Sequence, residues 1–362
     1  MTKLQPQALF KDTQVSRHIL LIGIVFAFFY LYVIAFWFQS GNLYLFTALL
    51  VGQIFSVWQV TTYIFTVWNT EKTFPKNMSS LPRVDVYITV AGEPIEIVEE
   101  TVRAALAMNY PKFSVYLLND GFVAKKENWR EARNLCRALG IPCITRRIPH
   151  GAKAGNINNA LTQTYGEVIC VFDADHAPYK NFLLETIPFL SDPKVAFVQT
   201  PQYYKNKSKN AVTQGAWEQQ ELFFGPICKG KNNYNAATMC GTNMVIRRSA
   251  LLEVGGMCEE SVAEDFVTGL LMHSKGWKSI YLPIVLAEGL APEDFNSYFK
   301  QQLRWARGAL DIIFHYKILT RVGYVGATYS ISIISITFYF GNCNNHECSF
   351  SNCFSSYRRA TF

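Results

Sequence analysis

From residue 18 to residue 70 the chain carries no Asp, Glu, Lys or Arg, and two long apolar runs lie inside that window, at 19–38 and 43–68. Each is as long as the roughly 20 residues that an α-helix needs to cross a bilayer. A cleaved signal peptide has a shorter apolar core and a small-residue cleavage site, which two consecutive spans do not fit. The sequence therefore predicts a transmembrane helical hairpin over 18–70, linked by the uncharged Gln39-Ser40-Gly41-Asn42. Lys3, Lys11 and Arg17 precede the first span, and Lys72 and Lys76 follow the second. The positive-inside rule then sets residues 1–17 and the region after the hairpin in the cytoplasm.

The rest of the chain is far more polar, although hydrophobic residues make up 50% of the whole and charged residues only 17%. A formal net charge of +7 suits a protein that lies against anionic lipid and handles anionic substrates. No basic run is interleaved with aromatic residues, so a nucleic-acid partner is not expected. None of the nine cysteines forms a C-x-x-C pair. In the cytoplasm they are expected to be reduced, and their spacing gives no zinc site.

After a polar linker, residues 84–90 alternate as a strand does, and Gly92-Glu93-Pro94 breaks the pattern. Apolar spacing then predicts a helix over 95–108, a strand over 113–118 and a helix over 125–139 closed by Gly140. A short strand over 143–145 and a helix over 155–164 lead to the apolar run that opens at Val168. This alternation predicts an α/β domain over 81–290 with a mostly parallel sheet, which binds ligands beyond the carboxyl ends of its strands. Asp120 and the pair Asp173 and Asp175 both stand at such ends.

Alternate residues of an extended chain point the same way, so Asp173 and Asp175 are placed to share one cation, with His176 as a further ligand on the adjoining turn. Hard oxygen ligands favour Mg2+ or Mn2+, which bridge to phosphates. In isolation, the same D-x-D also serves as a solvated turn closing a strand. Further on, the sequence predicts a helix over 210–224, a strand over 244–246, and a helix over 266–273 opened by Ala263-Glu264-Asp265. Acidic residues at a helix start commonly act as caps or dipole partners. A last patterned helix, 294–316, carries Phe295, Tyr298, Phe299, Trp305, Leu310, Ile313 and Phe314, a set suited to an amphipathic helix at a membrane interface. Residues 321–342 form a possible third span, and 343–362 a Cys-, Asn- and Ser-rich tail unlike what precedes it.

The order of these groups is more telling than any one of them. Asp120, Asp173-Ala174-Asp175-His176, Glu264-Asp265 and Gln301-Gln302-Leu303-Arg304-Trp305 resemble the D, D-x-D, E-D, Q-x-x-R-W signature of processive family 2 glycosyltransferases, most closely those of the bacterial cellulose synthase type. The connecting phrases His150-Gly151-Ala152-Lys153-Ala154-Gly155-Asn156, Phe223-Phe224-Gly225-Pro226-Ile227, Cys240-Gly241-Thr242-Asn243 and His273-Ser274-Lys275-Gly276-Trp277-Lys278-Ser279 strengthen the resemblance, which runs over about 20–316. It implies a GT-A-type nucleotide-sugar domain beside a membrane channel in the inner membrane. The implied reaction joins glucose from UDP-glucose to a growing β-1,4-glucan, with a periplasmic accessory subunit as a further partner. Carried over by position, Asp120 would hold the uridine end of the donor with Glu93 and Lys153 nearby. Asp173, Asp175 and His176 would bind Mg2+ or Mn2+ on the diphosphate. Asp265 would be the general base, with Glu264 beside it. Gln301, Arg304 and Trp305, on an interface helix over 291–320, would embrace diphosphate and acceptor, and Cys240 would join the substrate-binding set.

Two departures stand out. The paired acids before Gly are here Asn119-Asp120, and the usual Tyr-Asn-Glu near the first strand is Ala91-Gly92-Glu93. The change of composition after about Tyr324 reads as a frameshifted or truncated end, and a cyclic di-GMP-binding PilZ region is not among these residues. Two alternatives therefore accompany the resemblance: a synthase of chitin, hyaluronan, mannan or another glucan, and a shortened form that only binds the nucleotide sugar. A soluble dehydrogenase or nucleotidyltransferase fits worst, because no G-x-G-x-x-G follows the first strand and a membrane hairpin precedes it.

Overall fold

In the computed structural model the described residues are 16–38, 41–68, 75 and 81–315. The expected third span and the tail lie outside them. Helices α1 (Arg17–Trp37) and α2 (Leu43–Val67) form the hairpin and meet at Leu20, Ile64 and Val67. Asn42 caps α2 by accepting from Tyr44 N at 2.9 Å, and Tyr30 Oη donates to Gln53 at 3.2 Å across the pair. Both helices are long and apolar enough to cross a membrane, and most of their large side chains face outward.

Strands β1 (Val84–Val90), β2 (Phe113–Asn119), β3 (Cys143–Thr145) and β4 (Val168–Asp173) are parallel, in the spatial order β3-β2-β1-β4. All seven residues of β1 are buried because helices cover both faces. Val84, Val86, Ile88 and Val90 pack under α3 (Ile95–Leu106) and α4 (Trp129–Leu139), while Tyr87 packs under α5 (Ala152–Leu161). Predominantly apolar strands of this kind are what a parallel sheet covered on both sides requires. Asp85 is the buried charge in β1; Arg248 pairs with it at 2.8 Å and the Gly166 N–H donates to it at 2.5 Å.

Beyond β4 the chain forms β5 (Ala177–Pro178), α6 (Phe182–Thr186), a 3-10 turn at Ile187–Ser191, β6 (Val195–Gln199) and β7 (Tyr203–Tyr204). Helix α7 (Ala211–Leu222) opens with a reciprocal cap, Asn210 accepting from Thr213 N at 2.9 Å and the Asn210 N–H donating to Thr213 Oγ1 at 3.0 Å. It runs through a π turn, Phe223–Ile227, into α8 (Cys228–Asn233). Pro226 lies in that turn and has no N–H to donate to a regular helical ladder. Gly230 in α8 sits directly on α2: a Cβ there would lie 1.9 Å from the Thr66 carbonyl oxygen, and Tyr234 Oη donates to the Phe65 carbonyl at 3.1 Å. The hairpin is thus packed onto the α/β domain by close backbone approach.

Strand β8 (Met244–Arg247), helices α9 (Arg248–Glu253) and α10 (Glu264–Ser274), β9 (Lys278–Tyr281), β10 (Ala287–Gly289) and α11 (Phe295–His315) are the remaining elements of the described residues. The main sheet extends β4-β8-β6-β9, with β8 antiparallel to both neighbours and β9 parallel to β6. One strand of seven therefore runs against the rest. A second sheet, β5-β10-β7, lies just past the end of β4.

Several boundaries differ from the sequence expectation. The helix expected over 125–139 starts at Trp129, because Lys125 takes a left-handed φ of 55° within a turn. The one expected over 155–164 is Ala152–Leu161, entered through Gly151 at φ 60°. Strands β6 and β9 were not anticipated. The aromatic residues expected along one interfacial face of the last helix are also divided. Tyr298 packs inward with Tyr203 and Trp217, and Trp305 turns to a cleft, while Phe295 and Phe299 face outward. The side chains of Ile313 and Phe314 lie outside the described set.

Candidate active site

A cleft of about 1010 Å³ opens at the carboxyl ends of β1, β2 and β4. Every site residue named from the sequence lines it: Glu93, Asp120, Lys153, Asp173, Asp175, His176, Cys240, Glu264, Asp265, Gln301, Arg304 and Trp305.

Asp173 ends β4. Thr89 of β1 donates to its Oδ1 at 3.1 Å, and its own N–H donates to Thr242 Oγ1 at 2.9 Å. Lys153, one residue into α5, donates to Asp173 and, at 2.8 Å, to the Gly241 carbonyl. Ligand atoms of Asp173, Asp175 and His176 lie within 4.8 Å of one another. His176 is buried; its Nδ1 meets Asp175 at 3.0 Å, and its Nε2 has no hydrogen-bond partner among the described residues. Burial pulls the His176 pKa down, but Asp175 and Asp173 outweigh it and the net shift is upward. Asp175 is the converse, since burial opposes its charge while His176 and Lys153 hold it below the usual carboxylate value. Two carboxylates and an imidazole at such spacing fit a hard or borderline divalent cation.

Asp120 follows β2 and is clasped by Arg146, a residue the sequence reading passed over: Nε donates to Oδ1 at 2.7 Å and Nη2 to Oδ2 at 2.6 Å. Arg146 Nη2 also donates to the Ala152 carbonyl at 2.6 Å. The signal was present in outline, because β2 and β3 pair with Asn119 opposite Thr145, and one step further brings 120 beside 146. The Asn119 departure also has a structural account. Its amide donates to the Trp129 carbonyl at 2.8 Å and accepts from the Gly121 N–H at 2.9 Å, a double role that a carboxylate cannot fill. Glu93 accepts from the Ala91 N–H at 2.6 Å and closes the turn after β1.

The loop 238–243 forms another wall, and Gln199 of β6 holds it. Its Nε2 donates to the carbonyls of Thr200 and Thr242, both at 2.8 Å, and its Oε1 accepts from the Cys240 N–H at 2.8 Å. Gly241 has φ 75°, and a Cβ there would come within 2.8 Å of Asp265 Oδ2, so a bare backbone is needed for the loop and α10 to approach. Asp265 lies in the first turn of α10, as the sequence predicted. Burial raises its pKa, and burial followed by the Asp265 charge pushes Glu264 up to about 7. Lys153 works against both shifts; burial alone would lower its own pKa, but Asp173, Glu264 and Asp265 raise it.

Helix α11 is fixed to this assembly by polar contacts. Gln302 and Gln219 exchange amide hydrogen bonds at 2.8 and 2.9 Å, Tyr298 donates to Gln219 at 3.0 Å, and Ser261 donates to Asp311 at 2.8 Å. Ala309 and Ile312 pack on Val267 and Leu270 of α10, and a Cβ on Gly308 would lie 2.8 Å from Ala263 Cβ. This docking brings Gln301, Arg304 and Trp305 to the cleft.

A family model described as glycosyltransferase like family 2 matches residues 82–308. The chain belongs to that family. Over 260 residues this family 2 chain is 40% identical to the UDP-forming cellulose synthase catalytic subunit of Pseudomonas fluorescens (strain SBW25), covering 69% of this chain and 34% of that protein. Over 280 residues it is 36% identical to the corresponding subunit of Xanthomonas axonopodis pv. citri (strain 306), covering 75% and 37%. The chain thus spans about a third of the length of these relatives. Among solved structures, it is similar to a mannosyltransferase of Pyrobaculum calidifontis in complex with GDP-Man and Mn2+. The TM-score is 0.59 at 17% identity, over 84% of this chain and 89% of that one. This likeness shows a shared GT-A-type glycosyltransferase fold. A family 2 domain built this way presents a carboxylate of raised proton affinity, the Asp173-Asp175-His176 cluster and a guanidinium to one space.

Proposed function

We propose that the chain carries the catalytic domain of a membrane-bound inverting glycosyltransferase that transfers glucose from UDP-glucose to the growing end of a β-1,4-glucan. The observation that carries the reading is the convergence of the Asp173-Asp175-His176 group, Lys153, Asp265 and Arg304 on one cleft. The 40% identity to a UDP-forming cellulose synthase subunit supports the choice of donor and product.

In this reading Asp120, oriented by Arg146, receives the uridine end of the donor, with Glu93 nearby. Asp173, Asp175 and His176 would hold Mg2+ or Mn2+, which would supply charge neutralisation to the leaving group. Lys153 and Arg304 add positive charge where the leaving UDP becomes more negative. Asp265 takes the proton of the acceptor hydroxyl; its raised proton affinity makes it a stronger base than an exposed carboxylate. Glu264 carries part of the same negative field. Attack from the face opposite UDP inverts an α-linked donor into a β-linked product, so one base suffices and no second carboxylate nucleophile is needed. Trp305 offers a flat surface to a sugar ring, and Gln301 and Cys240 line the substrate path. The hairpin anchors the domain on the cytoplasmic face of the inner membrane, and a periplasmic accessory subunit receives the polymer on the other side.

The test is incorporation of label from UDP-glucose and from UDP-N-acetylglucosamine by membranes containing the full chain, followed by digestion with linkage-specific hydrolases. Glucose in a β-1,4-glucanase-sensitive product is expected. Incorporation of N-acetylglucosamine instead would move the reading to a different β-linked polymer, and UDP binding without turnover to a form that only binds the donor.

A further inference from the structure

Lys231 of α8 is fully buried, and no carboxylate lies within ion-pair distance of it among the described residues. Its Nζ donates to Thr238 Oγ1 at 2.5 Å and stands 5.6 Å from the centre of the Phe266 ring. A buried ammonium without a carboxylate opposes stability, so its presence calls for another reason. Burial lowers its pKa to about 8, which leaves the charged form dominant at pH 7.

The hydrogen-bond direction at this pair follows from the donor types. An ammonium has donors only, so Thr238 Oγ1 must accept from it. The single hydroxyl proton of Thr238 is then directed away from Lys231. Thr238 lines the cleft together with Phe223, Phe224, Met239 and Phe266, and Phe266 is the neighbour of Asp265. A hydroxyl proton turned away from Lys231, on a residue that lines the cleft among apolar and aromatic side chains, suits a sugar, which presents apolar ring faces and oxygen acceptors.

We infer that Thr238 binds the acceptor sugar by donating its hydroxyl to one of that sugar's oxygens, and that Lys231 is the positioning residue that fixes the direction of this donation. The inference rests on the proposed glycosyl transfer and adds a specificity-determining residue to it.

The test uses the full chain loaded with UDP and Mn2+ and titrates cellotetraose, read by tryptophan fluorescence, in the wild type and in Thr238→Ser, Thr238→Val and Lys231→Met. Thr238→Ser keeps the hydroxyl and is expected to bind like the wild type. Thr238→Val keeps the shape and loses the donor, and its Kd for the tetraose is expected to rise about five-fold with UDP affinity unchanged. Lys231→Met is expected to give the same rise and to add nothing to Thr238→Val in the double variant. If Lys231→Met fails to fold, the serine and valine pair still decides. Equal tetraose affinity in Thr238→Val and wild type would overturn the inference, as would equal weakening by serine and valine. So would a wild type that binds UDP but no tetraose. A wild type that fails to bind UDP overturns instead the proposed function on which the inference stands.

Discussion

Arg146 grips both carboxylate oxygens of Asp120, at 2.7 and 2.6 Å, and the two side chains are nearly buried. The candidate uridine-binding acid is therefore already half of a bidentate ion pair. Such a pair restricts the carboxylate to one orientation, with its remaining lone pairs towards the cleft. Removing one partner leaves an uncompensated buried charge. Arg146→Met is expected to lower unfolding stability by about 3 kcal/mol. Adding Asp120→Asn to it should recover part of that loss. Chemical denaturation of the solubilised protein checks the stabilities, and UDP titration checks the orientation effect.

Asp265→Asn keeps the side-chain shape and abolishes proton acceptance. Turnover of UDP-glucose is expected to fall at least about 100-fold, in line with the loss of a general base. UDP binding should persist, because the uridine and diphosphate contacts of the proposed function come from other residues. A variant that loses binding and turnover together would assign Asp265 to the architecture of the site.

Chelation is expected to abolish transfer, and Mg2+ or Mn2+ to restore it. Asp175→Asn and His176→Ala should each raise the Kd for Mn2+ at least about tenfold, since loss of even an outer-sphere partner costs metal affinity on that order. Free Mn2+ measured by electron paramagnetic resonance reads this without reference to activity. Unchanged Mn2+ affinity in both variants would remove the assigned ligand set.

Glu264 provides a pH signature. Burial, then the Asp265 charge, raises its pKa from 4.5 to about 7. A carboxyl with a raised folded-state pKa contributes stability that is fully present below the unfolded value and is lost as pH rises through the folded value. Relative to Glu264→Gln, metal-free wild type should therefore lose up to about 3 kcal/mol between roughly pH 4.5 and 7. The difference between variant and wild type isolates this group from Asp175 and Glu259, whose pKa values are lowered and whose contributions run the opposite way. Parallel stability profiles for the two proteins would contradict the shift.

Much of the α/β framework was legible because its signals are local. Strands β1 to β4 show apolar runs or alternation bounded by turn residues, and Gly140 closes α4 in the left-handed conformation as expected, with φ 66°. Strands β5, β7 and β10, of two or three residues each, were missed, as were β6 and β9, which pair with each other: Val195 is registered against Lys278, and Gln199 against Tyr281. Short segments that pair across such a separation carry no periodicity of their own that announces a strand. The direction of β8 was equally hidden, since Met244-Val245-Ile246 reads as a strand in either orientation.

Residue type and order along the chain determined by themselves that an apolar hairpin precedes an α/β domain, and that acids, an imidazole, a guanidinium and an indole recur in a glycosyltransferase sequence of motifs. Hydropathy, strand alternation and ligand chemistry are properties of short stretches, so they survive in one dimension. Only the tertiary structure decided which of those groups are engaged and by what: Asp120 by Arg146, Asp173 by Lys153 and Thr89, Thr238 by Lys231, and α11 by Gln219. Hydrogen-bond partners and burial depend on the approach of segments far apart in the chain. That approach sets both the proton affinity of Asp265 and the shape of the cleft around it.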